Sequence, residues 1–259
     1  MKSAESSKPT KFAITPKRWP EHFPKPSVKM VEGIQEDRKA RKAGMPLPVE
    51  LHEPSIHNKN IPYIPDSQLK SLTVGRIVRD LIAVDEWERK RKRPIAGLAA
   101  PQIGYIARIA LLELGGERLI VGNMVATAVD EEEAEWSEGC ASIPGLAAMV
   151  RTPVRQRLQG VVLELDGDNR VQYESIDRVY EGTEARRIRH EGDHLNGVLF
   201  PERVREQGGQ LRAVPPEELP RWSAHIRGND DAYQPQVIPW EYYDALVAGR
   251  LKVGDCQLP

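Results

Sequence analysis

Apolar residues first fall into a regular pattern after residue 66. Leu69, Leu72, Ile77, Leu81 and Ile82 recur near helical spacing. This predicts a helix over residues 66–90, capped by Asp66 or Ser67. It ends in the basic run 89–93, read as a solvated polar end ahead of Pro94. The period then shortens towards two. Segments 106–114 and 118–126 predict strands joined by a turn at Gly115 and Gly116. Segments 161–165 and 170–174 predict a second hairpin across the polar turn 166–169. A second long helix is predicted over about 176–195, and a short one over 240–247. Strands grouped around one central helix predict an α+β domain, with antiparallel sheets packed on that helix.

The flanks read differently. Residues 1–44 carry eight Lys and three Arg against five acidic residues and show little apolar periodicity. They predict a basic N-terminal extension over 1–45, draped on the core or disordered. The acids Glu5, Glu21, Glu32, Glu36 and Asp37 argue against a transit peptide. Residues 46–66 hold five prolines and read as an extended lead-in. A catalytic domain over 46–204 and a C-terminal extension over 205–259 complete the expected organisation. A net charge of −1 gives no case for nucleic acid or an anionic membrane as partner. No apolar run approaches the ~20 residues that span a bilayer. Two cysteines, Cys140 and Cys256, are too few for a disulfide scaffold and favour a reducing, cytoplasmic setting. The sequence carries no mark of oligomeric state.

The chemistry concentrates on the second long helix, in His190-Glu191-Gly192-Asp193-His194. Helical residues four apart share a face. Two imidazoles so placed can close on one metal ion, and the intervening Glu can reach a water on it. A catalytic site of this kind wants a third protein ligand. The extended form HExxHxxGxxH fails here, because Gly197 is present but Phe200 stands where the third His belongs. Glu202 is close in sequence and reads better as a surface residue. Cys140 is the stronger candidate, within Glu138-Gly139-Cys140-Ala141-Ser142-Ile143-Pro144-Gly145. A lone Cys is most often core packing. Here Gly139 permits close backbone approach and Pro144-Gly145 predicts a turn. A thiolate with two imidazoles suits Fe(II), Zn(II), Ni(II) or Co(II). A third cluster, Gly97-Leu98-Ala99-Ala100-Pro101-Gln102-Ile103-Gly104, offers small residues and the Gln102 amide.

Together, GLAAPQIG at 97–104, EGCAS at 138–142 and HEGDHL at 190–195 resemble the peptide deformylase family, over roughly residues 46–204. The resemblance implies the deformylase α+β fold and removal of an N-formyl group from starting methionine, giving formate and a free amine. It implies one divalent ion per chain, usually Fe(II) with Zn, Ni or Co as substitutes, held by Cys140, His190 and His194. It makes Glu191 the general base and acid. Gln102 and the Ala141 backbone N–H become oxyanion donors, and Gly97 and Gly139 lie along the substrate.

The sequence departs from the family's pattern in four ways. Ile95 stands where a second Gly is usual, and Ala141 and Gly192 are smaller than the common residues. The fourth departure is Arg186 and Arg187, four and three residues before His190, where the family is typically apolar. Two guanidiniums beside the ligand face fit an anionic N-formyl small molecule better than formylmethionine. The competing expectation pairs them with Glu181 or Glu184. An endoprotease and an inactive binding module are the other classes the motif admits. The aromatic residues Trp222, Trp240, Tyr242 and Tyr243 of the tail read as ordinary packing, and Cys256 as a bystander.

Overall fold

The computed structural model describes residues 19–20 and 23–256. The first part of the basic segment, with Glu5 and Glu21, lies outside the described residues.

Ser71 starts the first central helix, α2, by accepting from the Val74 N–H at 3.3 Å. The helix therefore covers Leu72–Lys90, and residues 66–68, expected at its start, form a separate 3₁₀ turn. An earlier helix, α1, spans Val28–Lys42 and is capped by Ser27. It was not expected, because its buried residues are only Met30 and Val31, too few to print a period.

The strands follow as β1 Gly97–Ala99, β2 Ile109–Leu114, β3 Glu117–Ala128, β4 Glu133–Cys140, β5 Ile143–Pro153, β6 Arg155–Leu165 and β7 Val171–Glu181. Next come α3 Gly182–His194, α4 Phe200–Glu206, β8 Leu211–Ala213, α5 Leu219–His225, β9 Val237–Ile238 and α6 Trp240–Val247. Strands β1-β2-β3-β6-β7 make one antiparallel sheet and β4-β5-β8-β9 a second. The expected α+β class with antiparallel sheets is the fold observed.

Period-two alternation explains how the first sheet is sandwiched. Leu98, Ile109, Leu111 and Leu163 face α2 and pack on Ile77, Val78 and Leu81. Their neighbours Ala99, Ala110, Leu112 and Val162 face the other way and pack on Ile188 and Leu195. The helix α3 thus lies between the first sheet and the β4–β5 hairpin.

The boundary expected at residue 176 is corrected. Ile176 is an inward residue of β7, which pairs with β6 as far as Glu181↔Arg155. The helix begins only at Gly182, whose φ of +59° turns the chain.

The second sheet carries its own core, with Ile143, Leu146, Val150, Phe200, Val204, Tyr242 and Tyr243. Strands β8 and β9, from the segment read as a C-terminal extension, extend this sheet, and Met30 and Val31 of α1 pack into the same core. Cys256 sits there as well. The tail aromatics are structural: Trp222, Tyr242 and Tyr243 are buried, and Trp222 donates to Ser137 Oγ at 2.6 Å.

The basic run is not merely solvated. Arg89 bonds Asp85, Arg91 bonds Glu36 and Asp37, and Arg93 bonds Glu88, so acids on α1 and α2 neutralise it. Among the described residues, no helix is long and apolar enough to cross a membrane.

Candidate metal centre

Helical spacing places His190 and His194 on one face of α3, with ring centroids 4.9 Å apart. The third member arrives from the second sheet. Cys140 is the last residue of β4, and Ala141 and Ser142 form the turn into β5. The turn expected at Pro144-Gly145 therefore lies three residues earlier. Those two residues instead sit within β5, opposite a register shift between Gly139 and Cys140, with Gly145 at φ +80°. The shift tips the thiol towards α3. Ligand atoms of Cys140, His190 and His194 all lie within 4.8 Å of one another, and Cys140 Sγ is 3.3 Å from His194 Nε2.

This donor set fits a divalent first-row ion. His190 Nδ1 lies 2.7 Å from Glu138 Oε2, an acceptor that fixes the ring proton on Nδ1 and leaves Nε2 to face the cluster. Burial opposes a charge on His190, but hydrogen bonds from Cys140 and Glu138 carry its pKa well above the ordinary value. Burial and then the charge of His190 push His194 well below it.

Glu191 stands beside the cluster, buried, with Oε2 lacking any hydrogen-bond partner. Burial first, with Glu138 adding, pushes its carboxyl up to about 7 against the pull of His190. It fits only because Gly97 has no side chain. A Cβ there would lie 2.8 Å from both Cγ and Cδ of Glu191 and closer still to Oε1. Gln102 is fixed at both ends of its amide. Its Oε1 accepts from Ala99 N at 2.7 Å, and its Nε2 lies 3.3 Å from both Cys140 Sγ and Ser142 Oγ.

The remaining predicted residues line one cavity of about 1100 Å³. Gly97, Gln102, Gly139, Ala141, Arg186 and Arg187 border it together with Cys140, His190 and Glu191. The expected pairing of the arginines with Glu181 or Glu184 is not formed. Arg186 donates to the Ser137 carbonyl and Arg187 to the Glu113 carbonyl, while Glu184 accepts from Gly115 N. The alternative third ligands are accounted for elsewhere. Phe200 is core, and Glu202 caps α4 by accepting from Leu199 N at 3.1 Å. Asp193, inside the HEGDH segment, holds α3 to α4 through Arg203 at 2.9 Å. Gly192 is small because α3 crosses β3 closely: a Cβ would come 2.8 Å from Ala126 Cβ.

Sequence reasoning missed Glu138 and Ser142 as site residues. Both lie within two positions of Cys140, inside the segment already singled out. Their contacts depend on the hairpin, which the sequence pattern did not reveal.

Comparison with known proteins places this geometry. The family described as Polypeptide deformylase matches residues 49–210. The chain is similar to Peptide deformylase 3 of Streptomyces avermitilis, 33% identical over 198 residues, which cover 70% of this chain and 80% of that protein. It is 38% identical over 121 residues to Peptide deformylase 1 of Nitrosomonas europaea, covering 43% of this chain and 64% of that one. Its fold is like that of a class I type b peptide deformylase from Acinetobacter baumannii. That match has a TM-score of 0.51 and 24% identity, and covers 61% of this chain and 98% of that one.

Proposed function

This chain belongs to the polypeptide deformylase family, a family of hydrolases, and from that premise we propose that its centre hydrolyses an N-formyl amide to formate and a free amine. The observation that carries the reading is the convergence of one thiol and two imidazoles from separate elements beside a buried carboxylate whose Oε2 has no hydrogen-bond partner. Cys140, His190 and His194 would hold one divalent ion, Fe(II) with Zn, Ni or Co as substitutes. When bound, that ion supplies Lewis acidity towards water and the formyl oxygen.

The protein's own groups do the rest. Glu191 Oε2 accepts a proton from the attacking water as its oxygen bonds to the formyl carbon. The same carboxyl then delivers that proton to the amide nitrogen as the C–N bond breaks. A carboxyl lifted to about 7 by burial suits both halves of the task. The Gln102 amide and the Ala141 N–H are the donors proposed for the oxyanion. Gln102 is preorganised for this, since Ala99 N fixes its Oε1 and so sets the direction of Nε2. Gly97 and Gly139 leave the cavity open for the substrate backbone.

The test is stoichiometric. Formate and amine are measured from N-formyl compounds, N-formyl-Met-Ala among them, using protein loaded with Fe(II), Ni(II) or Zn(II). Equal amounts of both products, lost together with bound metal in Cys140→Ser, are expected. Metal-independent formate release, or none with any formyl compound, would overturn the reading.

A further inference from the structure

The wall of the cavity nearest the centre is cationic, and its charges are not spent on carboxylates. Arg186 and Arg187 sit one helical turn before His190 and Glu191, so each reaches the space beside the ligand face, about 5–6 Å away between Cβ atoms. Among the described residues, neither forms an ion pair within 4.0 Å. Each donates instead to a main-chain carbonyl: Arg186 Nη1 to Ser137 O at 2.8 Å and Arg187 Nη1 to Glu113 O at 2.6 Å. The Nε of Arg187 is buried with no partner.

The other arginines on the cavity wall are neutralised, whereas Lys29, Lys39, Lys92 and Lys252 also line it. Arg91 and Arg93 engage Glu36, Asp37 and Glu88, and Arg41 engages Glu50. A guanidinium has five N–H donors. Both half-buried guanidiniums border one cavity, and each keeps donors beyond its single hydrogen bond. That is the arrangement that grips a planar anion. Burial lowers the pKa of Arg186, with the charge of Glu138 opposing and that of Arg187 adding.

Helix α1 runs along the cavity and is fastened on both sides. Met30 lies against Gly145, where a Cβ would come 3.1 Å from Met30 Cε, and Gln35 Nε2 donates to Gly254 O at 3.3 Å. On the opposite side Arg91 holds Asp37.

We propose that Arg186 and Arg187 form an anion subsite, and that the substrate is an N-formyl compound carrying an acidic group, carboxylate or phosphate, within one side-chain length of the formyl amide. This rests on the formyl-hydrolase reading for the reaction, but the subsite itself is read by binding.

Zinc-loaded protein is titrated calorimetrically with the α-carboxamides of N-formyl-Glu, N-formyl-O-phosphoserine and N-formyl-norleucine, the last of these neutral, and formate release is measured for the same compounds. Binding of at least one acidic compound about tenfold tighter than norleucine is expected, as a charge-assisted pair would give. Arg187→Leu should abolish that preference and Arg187→Lys should restore part of it. The phosphoserine and Glu arms separate the two anion chemistries. Equal or tighter binding of formyl-norleucine by the wild-type protein would overturn the subsite, as would a preference that survives Arg187→Leu. Acidic preference in binding without formate from any compound would keep the subsite and overturn the hydrolase reading instead.

Discussion

Gly97→Ala separates catalysis from folding unusually cleanly. Gly97 lies in β1 and is not among the glycines with positive φ, so alanine meets no backbone penalty there. Its Cβ, however, would stand 2.8 Å from Glu191 Cγ and Cδ. Ordinary carbon–carbon contact is about 3.5–4.0 Å, so Glu191 must retreat by roughly 1 Å. Overpacking of this kind costs roughly 1–3 kcal/mol. Relief of the strand glycine returns about 0.5–1 kcal/mol. The net loss of stability should therefore be near 1 kcal/mol, too little to unfold the protein. A reacting group misplaced by about 1 Å costs on the order of 10²-fold in rate. Formate release should fall by about that factor, mainly in kcat, because Glu191 acts in the transition state. Bound metal should stay at the wild-type level, since none of the three proposed ligands touches Gly97. The assay is kcat and KM for formate release, with metal content and thermal melting on the same preparations. Activity within about threefold of wild type at full metal content would refute the placement of Glu191 against Gly97.

Other perturbations read other parts of the account. Glu138→Ala removes the acceptor of His190 Nδ1 and should weaken metal affinity about 10–100-fold in a chelator competition; unchanged affinity would contradict the orienting role. Gly192→Ala gains about 1 kcal/mol of helix propensity but meets Ala126 Cβ at 2.8 Å; urea unfolding should show a net loss of about 1 kcal/mol, and a net gain would mean that α3 packs less closely on β3. Glu50→Gln tests the hold on α1. Burial alone would raise the Glu50 carboxyl, but the bonds and charge of Arg38, with Arg41 behind them, bring it below 4.5. A depressed folded pKa gives stability that is present above the unfolded value and lost as pH falls through the folded one. The variant should thus melt lower than wild type at pH 7 by roughly 1 kcal/mol, and the gap should close below the ordinary carboxylate range. A gap that persists in acid would contradict this.

The central motif was legible because its geometry is local. Residues 190 and 194 share a face in any helix, and so do the two arginines before them. The strands flanking Gly115 and Gly116 were legible for the same reason: period two and a glycine pair are short-range signals. The hairpin of β4 and β5 was not. Its first strand, 133–138, is acidic and polar, and the β5 residues that bury its partner strand pack on Phe200 and Tyr243, far away in sequence. Glu138 and Ser142 were hidden with it. Ile176 was assigned to the helix because Arg178 to Arg189 is rich in helix formers, and only the ladder to β6 and the turn at Gly182 override that propensity. The small size of Gly97 and Gly192 was visible, but its reasons, a carboxylate and a strand alanine, lie far away in sequence.

The most direct test compares wild type with Glu191→Gln, both loaded with one equivalent of metal, by simultaneous assay of formate and amine from N-formyl substrates. The account predicts that the variant keeps its metal and fold, while wild type releases both products in equal amounts and the variant is slower by about 10²-fold or more. Equal rates for the two proteins would contradict it.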